Sequence, residues 1–396
     1  MFDKRNDIQF SRIDFSFIEK MIVITFAYLY SIYGIVIFLV YLSILISKNY
    51  NSERILHYLC VFCSILSISI PILFKIYSTY FEYSNALVSI FSAVTGFLFA
   101  LKILELAFTY SWSQQKQITF KQILEDFSTF PKYKYEKQQP KKNKSKARNS
   151  TLLNHLNYLL LGNDEDYLSA RRQNLLIICR GLVHLVCLHI LLRLTPYSVL
   201  RLHSQNARFF SIVDFLTYTL YGFLFYFALG MIINIVFGSM GFIWNIYTRP
   251  IYPGYPFLPV GIHDFWSRRW NIYVKSILHR LAFIALPKLT GFQEKSNVKF
   301  LLAGIFAFVL SGLLHEFMYS VSMNRWSGGR NMLFFLFHGL FIAIELSLQG
   351  LFERKTLCSP IIGWLYTIIA LYATAPLFCD PWIETDCFAT LKTHLG

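Results

Sequence analysis

His315 stands in the run FAFVLSGLLHEFMYS, near one end of an otherwise apolar stretch. A neutral imidazole can take a proton from a hydroxyl near neutral pH, which is the work of a general base. Ser311 and Gly312 lie one turn back on the same helical face, where small residues permit close helix contact or access for a substrate. His338 and Glu345 are seven residues apart and share a face of the next apolar stretch. His315, His338 and Glu345 on adjacent helices could enclose a buried polar site. They could equally form an interhelical hydrogen-bond network with no chemistry, and a lone histidine in a membrane span is as readily a strut as a base.

A second cluster precedes this one. Pro250, Pro253, Pro256 and Pro259 recur every third residue, interleaved with Tyr252, Tyr255 and Phe257. That spacing favours extended polyproline II over helix. It leads into Asp264-Phe265-Trp266-Ser267-Arg268-Arg269-Trp270-Asn271. Trp266 and Trp270 suit a belt at headgroup level. Adjacent Arg268 and Arg269 suit the phosphates of a nucleotide-like substrate.

Other titratable residues inside apolar stretches are few, and each needs a reason to be there. Lys102 and Glu105 are an i, i+3 pair and read as a structural ion pair. Arg180 and His184 are one turn apart and either line a polar cavity or tie helices together. Asp214 also falls within such a stretch. Cys60-x-x-Cys63 has redox or metal spacing, but lies in a hydrophobic run without a second pair and reads as packing. No histidine has cysteine or aspartate partners at ligand spacing, so no metal site and no bound cofactor is expected.

The elements that must position these residues follow from composition. The 396 residues are 55% hydrophobic and 15% charged, against about 25% charged in a soluble domain. Disorder, a disulfide scaffold and an ordinary cytosolic enzyme are excluded, and a polytopic membrane protein is indicated. Apolar runs fall at about 21–47, 56–74, 85–108, 174–192, 211–243, 298–320, 331–351 and 361–379. Only helices or closed barrels satisfy the backbone in lipid, and runs of this length without alternation are helical. The expected fold is an all-α polytopic membrane protein, a single membrane domain over 1–396 with about eight transmembrane helices plus interfacial helices.

The charge of +15 is placed by the loops. Loop 109–173 carries 12 Lys/Arg and loop 244–297 carries 7, both on one side, which the positive-inside rule assigns to the cytosol. The basic linker 132–148 holds eight Lys/Arg and one Glu. It reads as a solvated linker or as a segment drawn to anionic lipids, with no folded module around it to suggest nucleic acid. Phe120, Ile123, Leu124 and Phe127 follow helical spacing, and residues 151–161 repeat the theme, so both read as amphipathic helices in the headgroup plane. No internal repeat appears, which gives an inverted-repeat transporter no support.

The pair FWSRRWN and then SGLLHE, about 40 residues on, resembles the membrane-bound O-acyltransferase superfamily, and within it the wax synthase branch. The branch pattern DFW-x-RRW followed by Asn or His is matched from Asp264 to Asn271, and S-G-x-x-H-E from Ser311 to Glu316. His338-Gly339 with Glu345, and more weakly Arg180-Gly181, are similar to further positions. The likeness is firm over about 245–350. The proline-rich approach YPGYPFLPVGIH is shorter than the family's usual approach to the aspartate. The resemblance implies a helical bundle around a buried chamber, with 245–350 as the acyltransferase core. It implies acyl-CoA as co-substrate and a hydroxyl acceptor, a fatty alcohol, diacylglycerol or similar lipid. The alternative is acetyl transfer to a sterol or secondary-metabolite hydroxyl. His315 would be the general base and Asn271 the second active-site residue, with Trp266, Arg268, Arg269, Trp270, Ser311, His338 and Glu345 contacting substrate. Glu316 would brace a helix. The endoplasmic reticulum is the location the family implies.

Overall fold

The structure is a computed structural model and describes residues 29–80, 86–128, 170–195, 211–254, 256–290, 297–351 and 359–388. Linker 132–148 and segment 151–161 lie outside the described residues. Eight helices are long and apolar enough to cross a membrane. They are α1 (Gly34–Asn49, entered through a π-helical turn Leu29–Tyr33), α2 (Glu53–Tyr80) and α3 (Ala86–Thr109). After two short helices, α4 (Trp112–Gln117) and α5 (Phe120–Ser128), come α6 (Ala170–Leu194) and α7 (Ile212–Trp244). A looped region carries α8 (Ile272–Arg280), and α9 (Asn297–Met323), α10 (Arg330–Leu351) and α11 (Pro360–Glu384) complete the bundle. No strand occurs among the described residues. The eight expected runs each carry one helix.

The helix starts are written locally. Ser211 accepts at 3.0 Å from the backbone N–H of Asp214, whose carboxylate accepts in return from the Ser211 N–H at 3.3 Å. This capping box satisfies two orphan donors of α7. Asp214, which looks like an intramembrane charge in the sequence, is therefore a cap. Ser359 caps α11, with Pro360 in its first turn, where a missing N–H costs nothing.

Neighbouring helices close a ring. In order round it, α1 packs on α2, α2 on α3, α3 on α9, α9 on α10, α10 on α11, α11 on α7 and α7 on α6. The amphipathic α5 bridges α1 and α7. Its Ile123 and Phe127 are buried with Val36, Val40 and Ile103, and the Phe127 ring lies 5.2 Å from that of Phe99. Its apolar face is thus turned onto the bundle. Cys60 and Cys63 lie in the same α1–α2 core as free thiols. The α6–α7 pair is the closest: the His184 ring sits where a Cβ on Gly230 would have to be, so only glycine permits this approach.

Lys102 and Glu105 form the expected ion pair, at 3.2 Å, both buried in α3. Arg280 of α8 adds a second cation on Glu105, through Nε and, at 3.2 Å, through Nη2. One carboxylate thus anchors α8, and the loop before it, to α3. Glu105→Gln leaves two cations facing a neutral amide. Unpairing a buried charge typically costs about 3 kcal/mol or more, so a clear fall in unfolding temperature in detergent is expected. An unchanged melting profile would show that the triad does not hold α8.

Candidate active site

A cavity of about 700 Å³ lies inside the ring. Its wall comes from α1, α3, α5, α7, α9, α10 and α11 and from the region between α7 and α8. Along α7 the lining residues run from Phe215 to Met240 at three- and four-residue intervals, among them Gly222, Phe225, Leu229 and Val236. One helix face therefore borders the cavity from end to end of this stretch, about 38 Å at 1.5 Å per residue. The wall is overwhelmingly apolar.

His315 and Asn271 both border this cavity. The His315 ring is stacked on Phe335 (centroids 4.6 Å apart, 19° between planes) and meets the edge of Phe378 at 5.2 Å. Its Nδ1 is shielded and has no hydrogen-bond partner. Nε2 is left as the ring nitrogen open to the cavity. Packing between two aromatic rings fixes the imidazole without occupying that nitrogen.

Asn271 is positioned by a chain of local constraints. Residues 265–269 form one π-helical turn, Trp270 is extended, and Asn271 takes a left-handed backbone (φ 33°). Asparagine is among the few residues that adopt this region readily. It is the N-cap of α8, and its Oδ1 accepts from the Val274 N–H at 3.2 Å. With Oδ1 committed to the cap, the side chain has its Nδ2–H₂ donor to offer the cavity.

Asp264 staples the turn. Its Oδ2 accepts from the Val260 N–H at 3.1 Å and from Arg269 Nε at 2.5 Å, and its Oδ1 lies 4.0 Å from Arg268. Arg269 is therefore structural, while the Arg268 side chain is 75% exposed. Burial first, and then the Arg268 charge, hold the His263 imidazole below its ordinary pKa. Burial and nearby Arg280 lower Lys275, and burial with Lys275 and Arg280 lowers His279. This face is crowded with cations, the setting in which an added polyanion is favoured.

Apart from Trp266 and Trp270, the remaining predicted residues are not gathered at the cavity. His338 is fully buried, with Nδ1 against the Phe334 carbonyl (2.8 Å) and Nε2 against Thr374 Oγ1 (3.5 Å). Both nitrogens are engaged, and its ring supports Trp266 at 5.4 Å. Glu345 accepts from the His263 N–H at 3.0 Å and from Gln349 at 3.2 Å, pinning the loop to α10 beside Gly261. Ser311 is buried, and Gly312 allows α9 to touch Met332 of α10. Trp266 and Trp270 do border the cavity. Glu316 accepts from Ser327 Oγ at 2.6 Å and from the Met332 N–H at 3.2 Å, so it braces the start of α10. Arg180 and His184 are buried against Tyr226, away from the cavity wall, as helix ties. Sequence reasoning missed Phe378, Phe335 and the long face of α7. Aromatic and aliphatic residues facing a cavity carry no signal that separates them from residues facing lipid.

Residues 249–337 match the model of the Membrane bound O-acyl transferase family. The match is confined to that segment, which holds the loop before α8 and the histidine of α9. Among its curated relatives, a probable long-chain-alcohol O-fatty-acyltransferase of Arabidopsis thaliana is 31% identical over 122 residues, covering 30% of this chain and 36% of the relative. The long-chain-alcohol O-fatty-acyltransferase of Simmondsia chinensis is 28% identical over 107 residues, covering 26% and 30%. An acyl-CoA–sterol O-acyltransferase of Arabidopsis thaliana is 27% identical over 158 residues, covering 40% and 45%. Each match spans less than half of the relative's own length.

Proposed function

We propose that this integral, multi-pass membrane protein is an O-acyltransferase of the endoplasmic reticulum. It moves a long-chain acyl group from acyl-CoA to the hydroxyl of a membrane-dissolved alcohol or similar lipid. The observation that carries this reading is the apolar cavity, about 700 Å³ and bordered by α7 for most of its length, with His315 Nε2 and Asn271 on its wall. An acetyl group needs no such volume, whereas a fatty chain gains about 0.8 kcal/mol for each methylene it buries there.

The chemistry is a single displacement. His315 Nε2 takes the hydroxyl proton while the oxygen attacks the thioester carbonyl carbon. The carbonyl oxygen becomes an oxyanion, to which the Asn271 amide N–H donates. Collapse breaks the carbon–sulfur bond, and the CoA thiolate leaves and recovers the proton from the imidazolium. The polyanionic CoA remains at the face where Arg268 and Lys275 are exposed. That face is cytosolic by the loop charges. His338 and Glu345 act as supports for Trp266 and the loop.

A sterol acceptor is the second reading, favoured by the name of one relative, an acyl-CoA–sterol O-acyltransferase. Expression in a host deficient in neutral lipids separates the two. Wax esters are expected to accumulate, steryl esters would shift the acceptor, and an acetylated product with neither would overturn the long-chain assignment.

A further inference from the structure

Asn271 takes a left-handed backbone that asparagine tolerates, and a conformation of this kind persists where its surroundings hold it on both sides. Here both sides are held by the loop segment 249–252. On one side the Tyr252 ring lies 5.0 Å from the ring of Trp270, which stacks on Phe265 at 5.4 Å. On the other, the Ile251 carbonyl accepts at 3.2 Å from the Ile272 N–H, one of the orphan donors at the start of α8. The Tyr273 hydroxyl donates to the Arg249 carbonyl and keeps the two segments side by side.

Segment 249–252 is fixed in turn to α7. Asn234 Oδ1 accepts from the Ile251 N–H at 3.1 Å. The Tyr252 ring stacks on Tyr226 at 4.5 Å, with 22° between planes, and its hydroxyl donates to the Tyr226 carbonyl at 3.2 Å. Asn234, Ile251 and Tyr252 are each no more than 1% exposed. Neither Asn234 nor Tyr226 borders the cavity, so α7 turns one face to the cavity and another to the loop. A polar side chain within a membrane-spanning helix is costly and needs a reason to be there. Asn234 has one bond to account for it, since its Nδ2 has no partner among the described residues. That bond goes to a loop peptide and not to another helix.

We propose that Asn234 is a positioning residue for acyl transfer: from behind the cavity wall it holds Ile251, and through Ile251 the backbone of Ile272, so that the Asn271 amide stays aimed at the reacting carbonyl oxygen. This rests on the acyltransferase reading above and on the role that reading gives Asn271. The path is short. The two peptide groups of Ile251 carry it, the N–H bonded to Asn234 and the C=O to the residue after Asn271. Without the acceptor, the Ile251 N–H is left buried and unpaired, and the loop must shift to satisfy it. A misplacement of about 1 Å in a group that meets the transition state costs on the order of a hundredfold in rate. Binding of the two chains is set by the cavity wall, of which Asn234 is not part, so the effect belongs in kcat.

The test uses the full-length protein in bilayer nanodiscs with palmitoyl-CoA and hexadecanol. Asn234→Leu keeps a similar volume and removes the acceptor. It should lower kcat by about tenfold or more, with KM for both substrates little changed. Asn234→Asp keeps an acceptor at the same place, ionised or not, and should hold kcat within about threefold of the parent. The decisive reading is a double-mutant cycle with Asn271→Asp. There the donor that Asn234 places is already gone, so adding Asn234→Leu should cost less than about twofold more. Losses that multiply, or a parental kcat in Asn234→Leu, would overturn the proposal. Should Asn234→Leu not insert, Asn234→Ser, whose hydroxyl is one bond shorter, is read by the same cycle with the same contrary results. Amide hydrogen exchange follows the clamp without turnover. The peptides bearing Ile251 and Ile272 should exchange severalfold faster in the variant than in the parent, and unchanged exchange would contradict the proposal. If the parent transfers no acyl group the acyltransferase reading fails, and if Asn271→Asp turns over like the parent the role of Asn271 fails. In either case exchange still decides whether Asn234 holds the loop.

Discussion

Replacing His315 by alanine is expected to lower acyl transfer by about a thousandfold or more, the upper range for losing a positioned general base. The loss should appear in kcat, with KM for acyl-CoA and alcohol little changed, because the imidazole acts on the proton in flight and contributes little to holding either chain. Membrane insertion and abundance should be unaffected. The ring is held only by stacking between Phe335 and Phe378, its Nδ1 bonds to nothing, and its removal enlarges a cavity that is already there. His338→Ala provides the contrast. That ring has both nitrogens engaged and sits behind Trp266, so its loss should reduce stability and only indirectly the rate. Wild-type-like turnover by the His315 variant would remove the histidine from the mechanism.

Asn271→Asp is expected to lower kcat by about a hundredfold to a thousandfold, the usual effect of deleting one oxyanion donor. This substitution separates chemistry from folding. A carboxylate still accepts from the Val274 N–H, aspartate is as good an N-cap as asparagine, and it tolerates the left-handed backbone. The fold of the loop should therefore survive. What is lost is the Nδ2–H₂ donor, and the new negative charge would repel an oxyanion. Asn271→Ala is the less informative variant, because it also removes a cap worth about 1 kcal/mol and strains a positive φ. Circular dichroism and thermal unfolding of the aspartate variant should match the parent. A variant that melts early would assign the residue to the cap alone.

Much of this architecture is legible in the chain because lipid imposes a strong rule. A helix that must satisfy its backbone in hydrocarbon announces itself as some twenty apolar residues, and the eight spans were visible on that ground. The pairing of Lys102 with Glu105 and the apolar face of α5 follow from helical spacing alone, whereas the sequence points that face into the headgroup plane and the structure turns it onto α1 and α7. Arg280 is a different matter, since it reaches Glu105 from 175 positions away. His338 and Glu345 share a helix face, yet their partners lie on different elements, Thr374 of α11 for one and the His263 backbone for the other. Periodicity places side chains on a face and says nothing of what that face meets. The cavity wall was least legible. Leu229 and Val236 look the same in sequence whether they border a substrate chamber or a lipid tail.

The central claim is best tested by supplying the purified protein in nanodiscs with palmitoyl-CoA labelled in its acyl group, together with hexadecanol. Labelled wax ester should form in step with an equal amount of free CoA thiol, and the His315→Ala protein handled in parallel should form neither above background. No ester from palmitoyl-CoA, or ester formed only when acetyl-CoA replaces it, would contradict the account.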